Sequence, residues 1–181
     1  LILGYTPKPL YPAMIRYDIA TAVFTMEMAK EISDTAVAMH KSANIHIKLD
    51  TGMSRIGFAI TKESKEIIEQ IAKLPGIEIE GMFTHFARAD EADKAFTHLQ
   101  YERYQKFHEG LENAGVHIPM CHCANSAAIM ELPRMGLDAA RAGITVYGLY
   151  PSDEVERNMK IYPAMEIRSF ITYVKEVEPG T

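Results

Sequence analysis

The sequence predicts an α/β fold in which parallel strands are joined by helices, arranged either as an open sheet or as a (β/α) barrel. Three observations predict it. Short apolar segments alternate with segments of helical periodicity along most of the chain. Polar side chains collect where several predicted strands end. The composition, 48% hydrophobic and 24% charged over 181 residues, is typical of a globular unit with one sizeable core.

The first half of the chain alternates strand and helix candidates. A β-branched and aromatic segment over 17–24 predicts a strand, and apolar residues at helical spacing predict a helix over 26–40. A second strand follows over 44–50. The next helix, over 63–74, is stopped by Pro75-Gly76, because proline cannot continue a helix and glycine favours its end.

The second half repeats this alternation. The predicted elements are a strand over 77–86, a helix over 93–114, a strand over 116–123, a short helix over 126–132 and a final strand of small residues over 137–143. The pattern changes after Met159, where residues 164–177 are strand-like without an intervening helix. A turn signal at 150–153 supports a division into a partial barrel, 1–155, and the start of a β domain, 156–181.

Composition excludes some classes of function. The net charge of −5, with both signs spread along the chain, provides no basic patch, so nucleic acid is not an expected partner. There is no apolar run long enough to span a bilayer and no signal-peptide pattern at the first residues, which favours a cytoplasmic protein. The opening on an apolar run without methionine predicts a chain that begins inside a domain.

The two cysteines, Cys121 and Cys123, occupy alternate positions of one predicted strand and are poorly placed to bridge each other. We therefore predict reduced thiols. His122 between them could contribute to a metal site, but zinc needs four ligands and no second ligand pair lies at suitable spacing. No metal is expected.

The strand over 44–50 has an unusual polar face. Alternation places apolar side chains on one face and His46, Lys48 and Asp50 on the other. Burying unpaired charges costs several kcal/mol each, so in a central strand they would have to be partners or parts of a site. The alternative is an edge strand whose polar face meets water.

Functional groups of parallel α/β folds collect at the carboxyl ends of strands. Four such ends carry candidates here: Lys48 with Arg55, then His85, then residues 122–126, then residues 141–144. Ser126 at a helix start and the backbone of Gly143 could together hold a phosphate, although for Ser126 taken alone an ordinary helix cap is the favoured interpretation. Arg141 needs a planar or anionic partner, and Asp138 is the simplest structural one.

The family resemblance rests on four motifs in order. Residues 48–57, 84–87, 122–127 and 141–148 resemble the corresponding motifs of alanine racemase, and their intervals agree over essentially the whole chain. Alanine racemases are fold-type III pyridoxal-phosphate enzymes that interconvert L- and D-alanine. The resemblance implies a (β/α)8 barrel, incomplete here at its N-terminal end, followed by a C-terminal β domain. It also implies a homodimer with shared active sites and D-alanine made for peptidoglycan.

The resemblance also implies roles for individual residues. It implies that Asn125, Ser126, Gly143 and Ile144 bind the cofactor at its phosphate loops, that His85 packs on the pyridine ring and that Arg141 bonds to the ring nitrogen. An arginine there would leave that nitrogen unprotonated and weaken the ring as an electron sink. Arg55 would reach the phenolic oxygen and the substrate carboxylate, and Arg55 and His85 are the catalytic candidates. His122 would support Arg141. Lys48 is implied to be carboxylated rather than to bind the cofactor.

Two family residues have no counterpart in the sequence. The motif with the Schiff-base lysine is absent, and so is the acid/base tyrosine of the C-terminal domain. Because racemisation needs one group on each face of the substrate, we expect these 181 residues alone to be inactive. Competing hypotheses are a serine racemase-like or other fold-type III enzyme, a non-catalytic pyridoxal-phosphate-binding module, and a metal-dependent hydrolase using His85, His122, Asp50 and Asp138.

Overall fold

The structure is a computed structural model that describes all 181 residues. Its strands are β1 (Thr21–Val23), β2 (Ala43–Asp50), β3 (Phe58–Ala59), β4 (Ile77–Phe83) and β5 (Met120–His122). Its α-helices are α1 (Tyr11–Arg16), α2 (Met26–Ala38), α3 (Lys62–Ile71), α4 (Ala95–Glu112) and α5 (Ser126–Glu131). Short 3₁₀ turns lie at Lys8–Leu10, Pro133–Met135 and Ile144–Tyr147. No helix combines the length and the apolar character needed to cross a membrane.

Four strands form one parallel sheet in the order β1-β2-β4-β5, and β3 pairs with the end of β2. Helical crossovers connect the strands, as the alternating pattern predicts. The sheet is open, with β1 and β5 at its edges. The α/β fold with parallel strands is confirmed.

Local sequence signals set most helix starts. Thr25 caps α2 by accepting a hydrogen bond from the backbone N–H of Met28, and Thr61 caps α3 through Ser64 in the same way. The side chain of Asn125 caps α5 by accepting from Ala128. These helices pack over a core of 31 buried residues that includes the apolar face of β2.

The strand β2 lies between β1 and β4, so the edge-strand alternative is wrong. Both of its faces are buried, including His46 and Lys48, which are each 2% exposed. The polar side chains of β2 therefore lie inside the fold, where they need partners.

Several predicted elements differ from the structure. The first strand is only Thr21–Val23, because the chain turns after α1 and Asp18 has a positive φ of 52°. The sequence analysis did not predict α1, Tyr11–Arg16. Residues 137–143 form no regular strand. They lie beside β5 and the residues after it. The backbone N–H of Asp138 donates to the Cys121 carbonyl, and that of Arg141 donates to the Ala124 carbonyl. Leu137 has a positive φ of 58°, which interrupts an extended ladder.

The strand predicted over 164–177 is also wrong for this structure, which contains no strand beyond β5. The side chains of Ile167, Phe170 and Ile171 are 94%, 90% and 85% exposed. A strand needs a partner for its backbone N–H and C=O groups, and this segment makes one backbone hydrogen bond, from the Ala164 N–H to the Tyr147 carbonyl. The domain boundary near residue 155 stays a prediction.

Candidate functional site

Strand register builds the interior of the site. Lys48 on β2 pairs with Phe83 on β4, and Phe83 pairs with His122 on β5. The His122 ring stacks on the Phe83 ring with centroids 4.8 Å apart. Lys48 Nζ and Arg141 Cζ lie 5.4 Å and 5.2 Å from the centroid of the same phenyl ring. The Phe83 ring is therefore close to two basic side chains inside the fold.

Arg141 is held by residues from two strand ends. Its Nη1 donates to His122 Nδ1 at 2.7 Å and to the His122 carbonyl at 3.1 Å. Its Nη2 donates to the carbonyls of Thr84 at 2.7 Å and Cys123 at 3.0 Å. A guanidinium has five N–H donors, so Nε–H is the one left without a protein acceptor. The predicted salt bridge with Asp138 is wrong, since the Asp138 carboxylate accepts instead from the Cys121 backbone.

A chain of imidazoles continues from Arg141 into the fold. Because arginine can only donate, His122 Nδ1 must accept and His122 Nε2 must carry the proton. His122 Nε2 lies 3.0 Å from His46 Nδ1, and His46 Nε2 lies 3.0 Å from a carboxylate oxygen of Glu80. Both histidines are therefore neutral Nε2–H tautomers that donate towards Glu80.

The two histidines are strongly shifted from their usual titration range. Burial, then the nearby Arg141 charge, lowers the pKa of His122 to about 3. Burial also lowers the pKa of His46, against the opposing effect of the Glu80 carboxylate. Gly81 makes this arrangement possible, because a Cβ there would lie 2.6 Å from the His46 ring.

A cavity of about 410 Å³ opens at the carboxyl ends of the strands. Six of the predicted cofactor-binding positions line it, namely His85, Asn125, Ser126, Arg141, Gly143 and Ile144. The structure therefore brings together residues that follow β4, residues that follow β5 and residues of the segment 141–144. Met53 and Pro151 also line the cavity, and the sequence analysis did not single them out.

Ser126 organises one wall of the cavity. Its Oγ accepts hydrogen bonds from the Gly143 backbone N–H at 2.9 Å, from the Thr145 hydroxyl at 3.1 Å and from the Thr145 backbone N–H at 3.4 Å. The Ser126 hydroxyl is the acceptor in all three contacts, so its own proton has no protein acceptor. This wall can therefore offer a hydroxyl donor to an anionic group in the cavity.

His85 and Arg55 occupy different positions relative to the cavity. His85 lies in its wall, and burial followed by the Arg141 and Arg55 charges lowers the pKa of His85 to about 4. The imidazole is therefore neutral at pH 7. Arg55 is exposed on the loop after β2 and lies outside the residues that line the cavity.

Lys48 is the buried lysine of the interior. Its Nζ donates to the Leu49 carbonyl at 2.6 Å. Burial is the main cause that lowers the pKa of Lys48 to about 8, and the Arg141 and Arg55 charges act in the same direction. A lysine with this pKa has a substantial fraction of neutral, nucleophilic amine at neutral pH.

Some residues of the site were missed in the sequence. Thr84 and Gln100 are fully buried polar residues that hydrogen-bond around the ends of β2 and β4. Gln100 interrupts the apolar stripe of α4, which was the available signal. Leu99, next to Gln100 on the same helix, is 39% exposed. Both cysteines are buried and free, as predicted.

The fold and this cavity define a class of protein: an α/β barrel-type domain whose site lies at the carboxyl ends of its parallel strands. No group of three or more potential metal ligands occurs near it.

Comparison with known proteins identifies the family. Residues 1–151 match the family model described as "Alanine racemase, N-terminal domain". An alanine racemase of Clostridium perfringens (strain SM101 / Type A) is 45% identical over 179 residues, which cover 98% of this chain and 46% of the relative. The solved alanine racemase of Clostridium difficile 630 has a TM-score of 0.91 at 43% identity and covers 99% of this chain and 48% of its own.

A Bacillus anthracis alanine racemase solved with bound L-Ala-P has a TM-score of 0.81 at 31% identity, covering 90% of this chain and 43% of its own. The chain belongs to the alanine racemase family. It spans about half the length of the relatives it matches.

Proposed function

We propose that the protein is a pyridoxal-phosphate-dependent alanine racemase and that the 410 Å³ cavity is its cofactor site. The observation that carries this proposal is the pair of uncommitted donors in one cavity. Arg141 Nε–H and the Ser126 hydroxyl come from two separate stretches of lining residues, 141–144 and 125–127. An aromatic ring with a nitrogen acceptor and a phosphate group fits such a pair.

The residues of the chain fit this cofactor in their chemistry. Ser126 and the backbone around Gly143 would hold the phosphate, and the neutral His85 ring in the cavity wall would pack on the pyridine ring. Arg141 would donate to the ring nitrogen. Asn125 and Ile144 complete this set, since both line the cavity.

When bound, pyridoxal phosphate supplies an electron-withdrawing ring for proton removal at the substrate α-carbon. Arg141 limits this withdrawal, because a guanidinium is effectively never deprotonated and keeps the ring nitrogen in its acceptor form. The four hydrogen bonds to His122, Thr84 and Cys123 hold the guanidinium in place. His122 supports Arg141 without lining the cavity itself.

Arg55 is proposed to bind the substrate carboxylate. It is exposed on the loop that follows β2, and its charge contributes to lowering the pKa of both His85 and Lys48. An anionic substrate entering this end of the sheet would meet that charge. Alanine as substrate is supported by the family and by the L-Ala-P bound to the Bacillus anthracis relative.

The homodimer, the cytoplasmic location and the supply of D-alanine for peptidoglycan belong to the same proposal. The 181 residues alone are expected to be inactive, because the cavity lining contains no lysine and no tyrosine to serve as an acid/base pair.

The test is to reconstitute the whole protein with pyridoxal phosphate and measure formation of D-alanine from L-alanine, with L-serine as a competing substrate. We expect cofactor-dependent racemisation of alanine, and loss of cofactor binding in Ser126→Ala combined with Arg141→Ala. Cofactor binding without turnover on either amino acid would favour a non-catalytic binding module. No binding of pyridoxal phosphate at all would overturn the proposal.

A further inference from the structure

Gln100 is a fully buried polar residue on α4, and both the oxygen and the nitrogen of its side-chain amide form hydrogen bonds. Its Oε1 accepts from the Ala87 backbone N–H at 2.9 Å, and its Nε2 donates to the His85 carbonyl at 3.3 Å and to Thr51 Oγ1 at 3.1 Å. The amide orientation follows, because an N–H can only donate and a carbonyl can only accept. One side chain therefore holds the loops that follow both β2 and β4.

The hydrogen bonds continue from Gln100 in one direction. Thr84 Oγ1 donates to the Leu49 carbonyl at 3.1 Å, so in its 2.8 Å contact with Thr51 Oγ1 it must accept. Thr51 thus accepts from Gln100 and donates to Thr84. This path, from Gln100 through Thr51 and Thr84 to Leu49, is buried throughout.

Thr84 links this path to the cavity. Its carbonyl accepts from Arg141 Nη2 at 2.7 Å, while its hydroxyl belongs to the path from Gln100. His85, whose carbonyl accepts from Gln100, lines the cavity. Gln100 therefore acts on two site residues, although it does not line the cavity itself.

The same face of α4 braces the loop after β2. Arg103 Nη1 donates to the Thr51 carbonyl at 3.0 Å, and Phe96 packs where a Cβ on Gly52 would lie 2.8 Å from its ring. Gly52 has a φ of 142°, a conformation that favours glycine. Helix α4 is thus fitted closely to the loop that continues to Arg55.

We propose that Gln100 is a positioning residue, which sets the spacing of the loops after β2 and β4 and thereby the placement of His85 and Arg141. The effect on catalysis rests on the proposed function, whereas the effect on the loops does not. Without Gln100, the Ala87 N–H, the His85 carbonyl and the Thr51 hydroxyl would each lose a hydrogen-bond partner.

The experiment compares Gln100→Leu with Gln105→Leu in the whole protein. Gln105 lies on the exposed side of the same helix, so its substitution controls for helix composition. We expect Gln100→Leu to speed hydrogen exchange of the Ala87 amide about tenfold and to weaken binding of pyridoxal phosphate about tenfold. It should also decrease kcat, with a smaller change in KM. Gln105→Leu should change none of these.

Thr51→Val and Thr51→Ser form a second pair for the case that Gln100→Leu fails to fold. Thr51→Val keeps the shape but removes the hydroxyl between Gln100 and Thr84, and we expect weaker cofactor binding than in Thr51→Ser. Unchanged Ala87 exchange would overturn the loop positioning. A lowered melting temperature with unchanged cofactor affinity and kcat would reduce Gln100 to a purely structural residue. If wild type binds no cofactor, the proposed function fails and Ala87 exchange still decides the positioning.

Discussion

Arg141 donates a guanidinium N–H to Nδ1 of His122 at 2.7 Å, and this one contact determines the protonation of two histidines. Since His122 Nδ1 must accept, its Nε2 carries the proton and donates to His46, which in turn donates to Glu80. This series of hydrogen bonds thereby connects the partly exposed carboxylate of Glu80 to Arg141 in the cavity wall.

This arrangement predicts the tautomers of both histidines. We expect long-range ¹H–¹⁵N correlation spectra at pH 7 to show His46 and His122 protonated only at Nε2. Glu80→Gln should preserve this state, because the amide oxygen can still accept from His46. Glu78→Gln, on the exposed part of the same strand, is the matched control. Observation of a proton on His122 Nδ1 would contradict the assigned contact with Arg141.

The lowered histidine pKa values predict loss of stability in acid. His122 has a pKa of about 3 in the folded protein, against about 6.5 for an unperturbed histidine. Its contribution is therefore complete above about pH 6.5 and is lost as the pH falls towards 3, since the unfolded chain binds the proton more readily. We expect the free energy of unfolding, measured by urea titration at pH 7, 6, 5 and 4, to decrease as the pH is lowered.

The contribution of His122 can be isolated by substitution. The pH slope for His122→Gln should be shallower than for wild type by about 1.4 kcal/mol per pH unit below pH 6, which is the linkage for one proton. His117→Gln, which replaces an exposed histidine outside this chain of imidazoles, is the substitution control. Parallel curves for wild type and His122→Gln would show that folding does not lower the pKa of His122.

Ser126 is predicted to contribute to cofactor affinity. Ser126→Ala removes the hydroxyl that accepts from Gly143 and that would donate to a phosphate. Hydrogen bonds to charged groups contribute about 1.5–3 kcal/mol, so we expect affinity for pyridoxal phosphate to fall about 10- to 150-fold. Ser169→Ala, on the exposed C-terminal segment, is the control. Equal loss of affinity for pyridoxal, which lacks the phosphate, would place the effect of Ser126 elsewhere.

Lys48 is predicted to be carboxylated on its amine. The pKa of about 8 provides neutral amine that can attack carbon dioxide and release a proton, leaving a carbamate. The new anion would lie near the charges of Arg141 and Arg55, which already influence Lys48. With ¹³C-labelled bicarbonate, we expect a carbamate signal in wild type that is lost in Lys48→Arg and kept in the surface control Lys62→Arg. A spectrum without this signal would refute carboxylation.

Local residue patterns were enough to predict α2 to α5 and the strands β1, β2, β4 and β5, but not α1. The Asn125 cap and the alternation along β2 act between near neighbours in sequence, and the structure forms both of them, whereas α3 ends at Ile71, before the predicted stop at Pro75-Gly76. The expected strand over 164–177 failed for the opposite reason. Its β-branched and aromatic composition is local, but a strand requires a partner segment, and none pairs with it.

The sequence by itself determined the α/β alternation, the family and the positions where strands end with polar residues. It could point to Ser126 and Arg141, because their residue types are unusual at those places. Only the tertiary structure decided which groups satisfy Arg141, which nitrogen of His122 is protonated and that Gln100 joins two loops. Those facts depend on strand register and on buried donors finding acceptors far along the chain, and residue spacing does not encode such pairings directly.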